Sequence, residues 1–273
     1  MVQNSDSHDI VLNCPLSMNG SGFSSRPRAF TLAVAAALVF GTSGARADDT
    51  ELAKNILEKA DLVRFPQGGF EVGVTIATTS PGRDTELRKY KVLSKGNENS
   101  VVMVTEPASE RGQIMLMKGR DLWVFLPNVS QPVRVPLSQR LTGQVANGDL
   151  ARANFAGDYT PKLLRMEQVD GESMYVLELN ANDRGVTYHK VIYWVRQSNH
   201  WPHRAEFYSV SDRLLKTAQY ANFIKLGGRV RPSRMIMHDA LREGEESVLE
   251  YADLKTRDLP DKIFTKDYLK RLE

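Results

Sequence analysis

The stretch FEVGVTI at residues 70–76 alternates apolar Phe70, Val72, Val74 and Ile76 with Glu71, Gly73 and Thr75. A period of two puts every second side chain on one face, which is the pattern of a β-strand with that face in a core. Outward from it the same pattern recurs. Ser80-Pro81-Gly82 supplies a turn before a strand over 86–94, and Lys95-Gly96-Asn97-Glu98-Asn99 supplies the next turn. Further strands are predicted at 101–105, 113–117 and 121–126, then at 175–179, 187–195, 204–210, 214–223, 231–238 and 245–254. Short strands at close spacing, joined by Gly, Asn and Asp turns, describe an antiparallel meander. Helix signals are few. Over 51–63, Asp48, Asp49 and Thr50 can cap while Leu52, Ile56, Leu57 and Ala60 recur at helical spacing; shorter helices are expected near 149–155 and over 266–272. The fold class is therefore mainly β with few helices (α+β).

The N-terminus reads as a leader. Arg26 and Arg28 precede an apolar run over 29–40, followed by small residues and Ala45-Arg46-Ala47, the A-x-A form of a cleavage site. The run is shorter than the roughly 20 apolar residues that span a bilayer. The expectation is a cleavable secretory signal with Asp48 as the first mature residue, and Met18 as a candidate start because residues 1–17 are polar and aperiodic. The only cysteine, Cys14, falls in this segment, so the mature chain has neither a disulfide framework nor a lipidation cysteine. With no repeat, low-complexity run or long linker, residues 48–273 read as one domain. Removing 1–47 takes away Arg26, Arg28 and Arg46 with Asp6 and Asp9, lowering the formal net charge by one from +3. So balanced a charge on an exported chain argues against a nucleic-acid partner.

A soft apolar surface is written along the strands: Met103, Met115, Met117, Trp123, Phe125, Tyr175, Leu177, Trp194, Phe207 and Phe223. Methionine adapts its shape and aromatics cover large areas, so one such face either packs a core or lines a cavity for a flexible ligand.

Catalytic and metal chemistry is weakly supported. His200 and His203 flank Trp201-Pro202, but two histidines fall short of the three or four ligands of a zinc site, and a hairpin turn is the simpler reading. Ser138 with Asp149, Asp158 and a histidine lacks nucleophile-elbow glycines, and Gly68-Gly69 and Gly227-Gly228 lack phosphate-loop context and read as turns. In Asn147-Gly148-Asp149, Gly148 permits a tight turn and Asp149 can cap a short helix. Arg134 and Arg140, on either side of a proline-punctuated loop, gate a cavity, bind an acidic group or tie the loop down.

The order of elements, a leader, a short helix, FEVGVTI, KYKVLSKG, VVMVTEP and QIMLMKGRDLWVFLP, resembles the outer-membrane lipoprotein-sorting protein family, the LolA/LolB-like superfamily of periplasmic lipid-handling domains. LWVFLP (122–127), RVPLSQRL (134–141), NGDLARANF (147–155) and DYTPKLL (158–164) resemble a divergent branch associated with RND-type exporters and ABC permeases. The resemblance covers residues 51–272. It implies a strongly curved antiparallel sheet, an incomplete barrel, with helices as a lid over a hydrophobic cavity. By the same resemblance Met115, Met117, Trp123 and Phe125 are candidate cavity residues, the 148–155 helix is a candidate lid, and Arg134, Arg140, Asp149 and Phe155 are lid or gating residues. The implied function is a soluble periplasmic carrier or acceptor of lipid or lipoprotein acyl chains beside an inner-membrane RND-type or ABC transporter, or an accessory module of that transporter which carries nothing. No reaction, metal or cofactor is implied. RVPLSQRL with its long connection to NGD departs from the typical lipoprotein carrier, and the membrane-anchored receptor's lipidation cysteine is missing.

Overall fold

The computed structural model describes residues 44–269 apart from 128 and 153, and side chains from Asp49 onward. Residues 1–43 of the predicted leader, with Met18 and Cys14, lie outside the described residues, while its last four residues, with Ala45-Arg46-Ala47, form the start of α1. Helix α1 (Gly44–Arg64) leads into β1 (Phe70–Thr79), β2 (Glu86–Lys95), β3 (Asn99–Glu106), β4 (Ile114–Lys118), β5 (Asp121–Phe125) and β6 (Val133–Val135). A small hairpin of β7 (Arg140–Thr142) and β8 (Val145–Ala146) then precedes α2 (Asn147–Ala151) and α3 (Phe155–Asp158). The chain continues through β9 (Tyr159–Val169), β10 (Glu172–Ala181), β11 (Lys190–Arg196), β12 (Pro202–Tyr208), β13 (Leu214–Leu226), β14 (Arg229–Asp239) and β15 (Glu246–Thr256) to α4 (Lys266–Leu269). Among the described residues no helix is long and apolar enough to cross a membrane.

Thirteen of these strands form a single sheet in the order β6-β5-β4-β3-β2-β1-β15-β14-β13-β12-β11-β10-β9. The pairing is antiparallel throughout, and the join between β1 and β15, with Ile76 opposite Leu249, fuses two meanders into one sheet. The sheet is strongly curved and does not close, because its edges β6 and β9 do not pair with each other. Consecutive in the sheet's sequence yet at opposite edges, they are connected by residues 136–158. This crossing segment holds the β7–β8 hairpin, α2 and α3.

The alternation in β1 is realised: Phe70, Val72, Val74 and Ile76 are all buried. They join a main core with Val92, Val102, Leu177, Leu179 and Phe207, against which α1 lays Ala53, Ile56, Leu57 and Ala60. That spacing is a helical stripe. Leu52, predicted to belong to it, stands 38% exposed because it is one position off the stripe, where Ala53 faces inward.

Several elements differ from expectation. Strand β9 was not predicted, because as an edge strand partly open to water it carries Pro161, Lys162, Arg165 and Glu167, which interrupt the apolar alternation. The short strands β6, β7 and β8 were also not predicted. The single helix expected near 149–155 is two pieces, α2 and α3. In α2, Gly148 serves close approach and not a left-handed turn: a Cβ there would sit 2.0 Å from Thr187 Oγ1. Gly148→Ala is expected to cost about 1–3 kcal/mol of stability through overpacking. Urea denaturation checks this, and Gly148→Ala combined with Thr187→Ala should recover part of the loss; an unchanged midpoint in the single variant would contradict the close approach.

Candidate functional site

The crossing segment is fastened over the main core by buried polar contacts. Ala146, the residue preceding α2, has no side-chain acceptor, so Asp149 reaches back and takes the Ala146 amide hydrogen at 2.8 Å. The same carboxylate, its side chain only 7% exposed, accepts from the Tyr188 hydroxyl at 2.6 Å and pairs with Lys216 Nζ at 2.9 Å. Lys216 also donates to the Gln144 carbonyl, which tethers the β7–β8 turn to β13. Next along, Arg152 makes a buried fork: Nη2 donates to Asp158 Oδ1 at 2.6 Å and Nη1 to the Gly119 carbonyl at 2.7 Å. Phe155 lies under the Arg64 guanidinium, 4.1 Å from its ring centroid, and meets Tyr159 and Tyr193 edge-on.

Helix α1 joins this network through Asp61, whose Oδ2 accepts the Ala156 amide hydrogen at 2.7 Å while Oδ1 pairs with Arg64 at 3.1 Å. Burial pushes the Asp61 carboxyl up to about 6, against the opposing pull of Arg64 and the Ala156 amide. Sequence reading missed Asp61, Arg64, Arg152, Tyr188 and Lys216. For the first two a signal existed: they fall on the same helical stripe as Leu57 and Ala60, where a charge is expected only if it has a partner.

The ten apolar residues expected on one face divide between two. Met115, Met117, Leu177 and Phe207 belong to the main core, with Tyr175 and Phe223 packed against it. Met103, Trp123 and Phe125 lie instead in a second cluster with Val101, Ile114 and Leu116, beneath Leu259, Phe264 and Leu269. Trp194 is in a third cluster with Met174 and Val176, and its indole donates to Glu167 at 2.5 Å. Register explains the division: Met115 is opposite Val124 and Leu116 opposite Trp123, so Trp123 points away from the methionines. Of the predicted gating residues, Asp149 and Phe155 are in the fastened segment. Arg134 is not; it is exposed and pairs with Asp121. Arg140 is exposed on β7 and makes no ion pair among the described residues. Asp149 and Asp158 are engaged by Lys216 and Arg152, while the His200 segment forms the turn between β11 and β12.

Two cavities of about 20 Å³ each lie beneath the segment, one beside Arg64, Asp149 and Phe155, the other between Phe70, Val74 and Tyr251. Each has room for about one water. A wider cleft of about 190 Å³ opens between the crossing segment and the sheet, with Met115, Val124 and Val135 on one side and Arg140, Leu141 and Asn147 on the other.

A protein-family model described as "-like: Uncharacterized protein" matches residues 96–271. No curated protein matches the sequence. The crystal structure of a LolA superfamily protein from Nitrosomonas europaea is 67% identical, the alignment covering 79% of this chain and 98% of that one, with a TM-score of 0.77. The chain belongs to the LolA superfamily. The same fold is seen in a DUF1329 family protein from Desulfovibrio piger (23% identity, 81% and 99% covered, TM-score 0.70). It recurs in a domain from Vibrio parahaemolyticus named for outer-membrane lipoprotein sorting (22% identity, 81% and 100% covered, TM-score 0.69).

Asp61 makes the fastening pH-dependent. Its carboxyl binds a proton more tightly folded, at about 6, than unfolded, at 3.8, so its contribution is fully present below 3.8 and is lost as pH rises through about 6. Going from about pH 5 to about pH 7.5, Asp61 should remove roughly 1–2 kcal/mol of stability. His200 and His203, held below the ordinary imidazole value by burial and by Lys59 and Arg196 respectively, act with the opposite sign in this window. Asp61→Asn isolates the effect: denaturant titrations at both pH values should show a stability difference shifted by that amount from wild type, and identical differences would refute it.

Proposed function

We propose that the protein is a periplasmic carrier or acceptor of a hydrophobic ligand, an acyl chain of a lipid or lipoprotein, admitted when the crossing segment swings off the concave sheet face. The observation that carries this reading is the cleft of about 190 Å³ between segment and sheet, where Arg140 and Leu141 lie across from Tyr90, Val104, Met115 and Val124, with the Arg88–Glu110 pair also in its lining. The two cavities of about 20 Å³ beneath the segment have no room for a chain, so cargo and segment would exclude each other there, and a buried methylene of cargo contributes roughly 0.8 kcal/mol toward displacing it. Polar ties such as Asp149–Lys216 and Arg152–Asp158 suit a removable cover, since both partners regain water when they part. Arg140, which makes no ion pair among the described residues, puts a cation at the cleft where an anionic headgroup would rest.

On this reading the chain is exported, its signal is cleaved after Ala47, and residues 48–273 work as one domain beside an inner-membrane RND-type or ABC transporter. The divergent 134–141 stretch lies at the mouth of the cleft, where it would choose the cargo. The small size of the two cavities beneath the segment favours a second reading: a transporter's accessory module that carries nothing. No catalytic residue or cofactor enters either reading.

Native mass spectrometry of the gently purified protein, with uptake of a fluorescent fatty acid, separates the two. Val124→Asp should lower uptake roughly tenfold or more, because a carboxylate would be desolvated by the chain. Trp123→Ala, on the opposite face, should leave uptake near wild type. A ligand-free protein that takes up no fatty acid would sink the carrier and leave the module.

A further inference from the structure

A second concavity lies away from the cleft, where three separate parts of the chain meet. The last turns of α1 contribute Lys59, Leu62 and Val63, the β11–β12 turn contributes Asn199 and His200, and the start of β14 contributes Arg229 and Val230, around a hollow of about 230 Å³. The placement is enforced. Gly227 and Gly228 adopt φ of 55° and 85°, as a two-residue hairpin turn requires, which sets Arg229 immediately after the turn. Arg231 then reaches back and donates to the Leu62 and Val63 carbonyls at 2.7 and 2.9 Å. Those carbonyls are the negative end of α1, and the guanidinium on them neutralises it, so the hollow is left with the charge of Lys59 and Arg229.

Neither Lys59 nor Arg229 makes an ion pair among the described residues, and neither does Lys225, which stands opposite Val230 across the hairpin. Beside these cations Ile224 and Val230 are 42% and 43% exposed. Unpaired cations around a hollow with an amide and an imidazole at its edge suit a phosphate. Aliphatic side chains at the tip of the same hairpin suit the boundary between headgroups and acyl chains.

We infer that the β13–β14 hairpin tip and the Lys59–His200–Arg229 hollow form a docking surface for an anionic phospholipid bilayer, with a lipid phosphate seated between Lys59 and Arg229. Charge complementarity selects the occupant, and the exposed aliphatics Ile224 and Val230, one on each face of the hairpin end and each opposite a cation, favour a bilayer over an acidic protein or a free anion. The inference leans on the carrier reading only for its purpose, delivery or collection of cargo at a membrane, and stands or falls separately from it.

Sedimentation of the full protein with vesicles tests it. The protein should pellet with vesicles of equal parts phosphatidylcholine and phosphatidylglycerol and remain in solution with phosphatidylcholine alone, and added salt should release it. The exposed double substitution Lys59→Glu with Arg229→Glu should weaken pelleting at least about tenfold, at roughly 1 kcal/mol for each basic residue near an anionic surface. Ile224→Ser with Val230→Ser should weaken it several-fold, with unchanged circular dichroism confirming both folds. Equal binding to both vesicle types, unaltered binding by the charge-reversed variant, or no vesicle binding by wild type would overturn the inference. Inorganic phosphate that saturates the hollow at low concentration without vesicle binding would overturn it in favour of a free-anion site. Fatty-acid uptake should persist in the charge-reversed variant; uptake lost from wild type with vesicle binding intact would reject the carrier and leave the docking surface standing.

Discussion

The Arg152 side chain fastens together parts of the molecule that the sheet's own hydrogen bonds leave apart. One nitrogen donates to the Gly119 carbonyl in the β4–β5 turn, near one edge of the sheet, and the others donate to Asp158, the last residue of α3, which leads directly into β9 at the opposite edge. An open antiparallel sheet has no ladder to join β6 to β9. Its curvature must be held by what crosses between them, and what crosses is residues 136–158. A planar fork with donors in fixed directions can satisfy a carboxylate and a carbonyl at once, which a lysine at this position could not match.

That constraint explains why so much charge lies inside a small fold. Burying a pair of ions gives little net stability over an apolar packing of the same volume, so Asp149–Lys216 and Arg152–Asp158 are poor devices for stability alone. They do fix where the segment sits. Each ties a specific backbone group as well: the Ala146 amide, the Gln144 carbonyl, the Gly119 carbonyl. Asp61 completes the set from α1 through the Ala156 amide. Helices as short as α2 and α3 do not persist by themselves. Their conformation is held by these contacts and by Phe155 wedged between Arg64 and two tyrosines.

The sequence shows the first half of this clearly and the second half hardly at all. Strands with one face in the core, such as β1, betray themselves by alternation. In β4 the run Ile114-Met115-Leu116-Met117 is buried at every position, because the C-terminal Leu259, Phe264 and Leu269 cover the face that would otherwise be wet. Without a polar face to mark it, orientation is unreadable, and Met115 and Trp123 look like neighbours when they point apart. Strand β9 hides for the opposite reason, with too little burial to impose a pattern. The polar ties join positions as distant as Asp149 and Lys216, a pairing that only the folded sheet creates. Resemblance supplied the curved, unclosed sheet that local pattern could not.

The double burial of β3, β4 and β5 also bears on which side of the cleft can move. Their inner face carries Val102, Met115 and Leu122 against the main core, and their outer face carries Val101, Leu116 and Phe125 against the C-terminal cap. A wall packed on both faces resists displacement, since shifting it would open voids on either side. Across the cleft, Arg140 is exposed and Leu141 only partly buried, on a two-stranded hairpin that shares no ladder with the main sheet. Any widening of the cleft therefore falls on the β7–β8 hairpin and the helices behind it. On the carrier reading, the crossing segment 136–158 is then the part that moves, and the strands around it are the fixed wall.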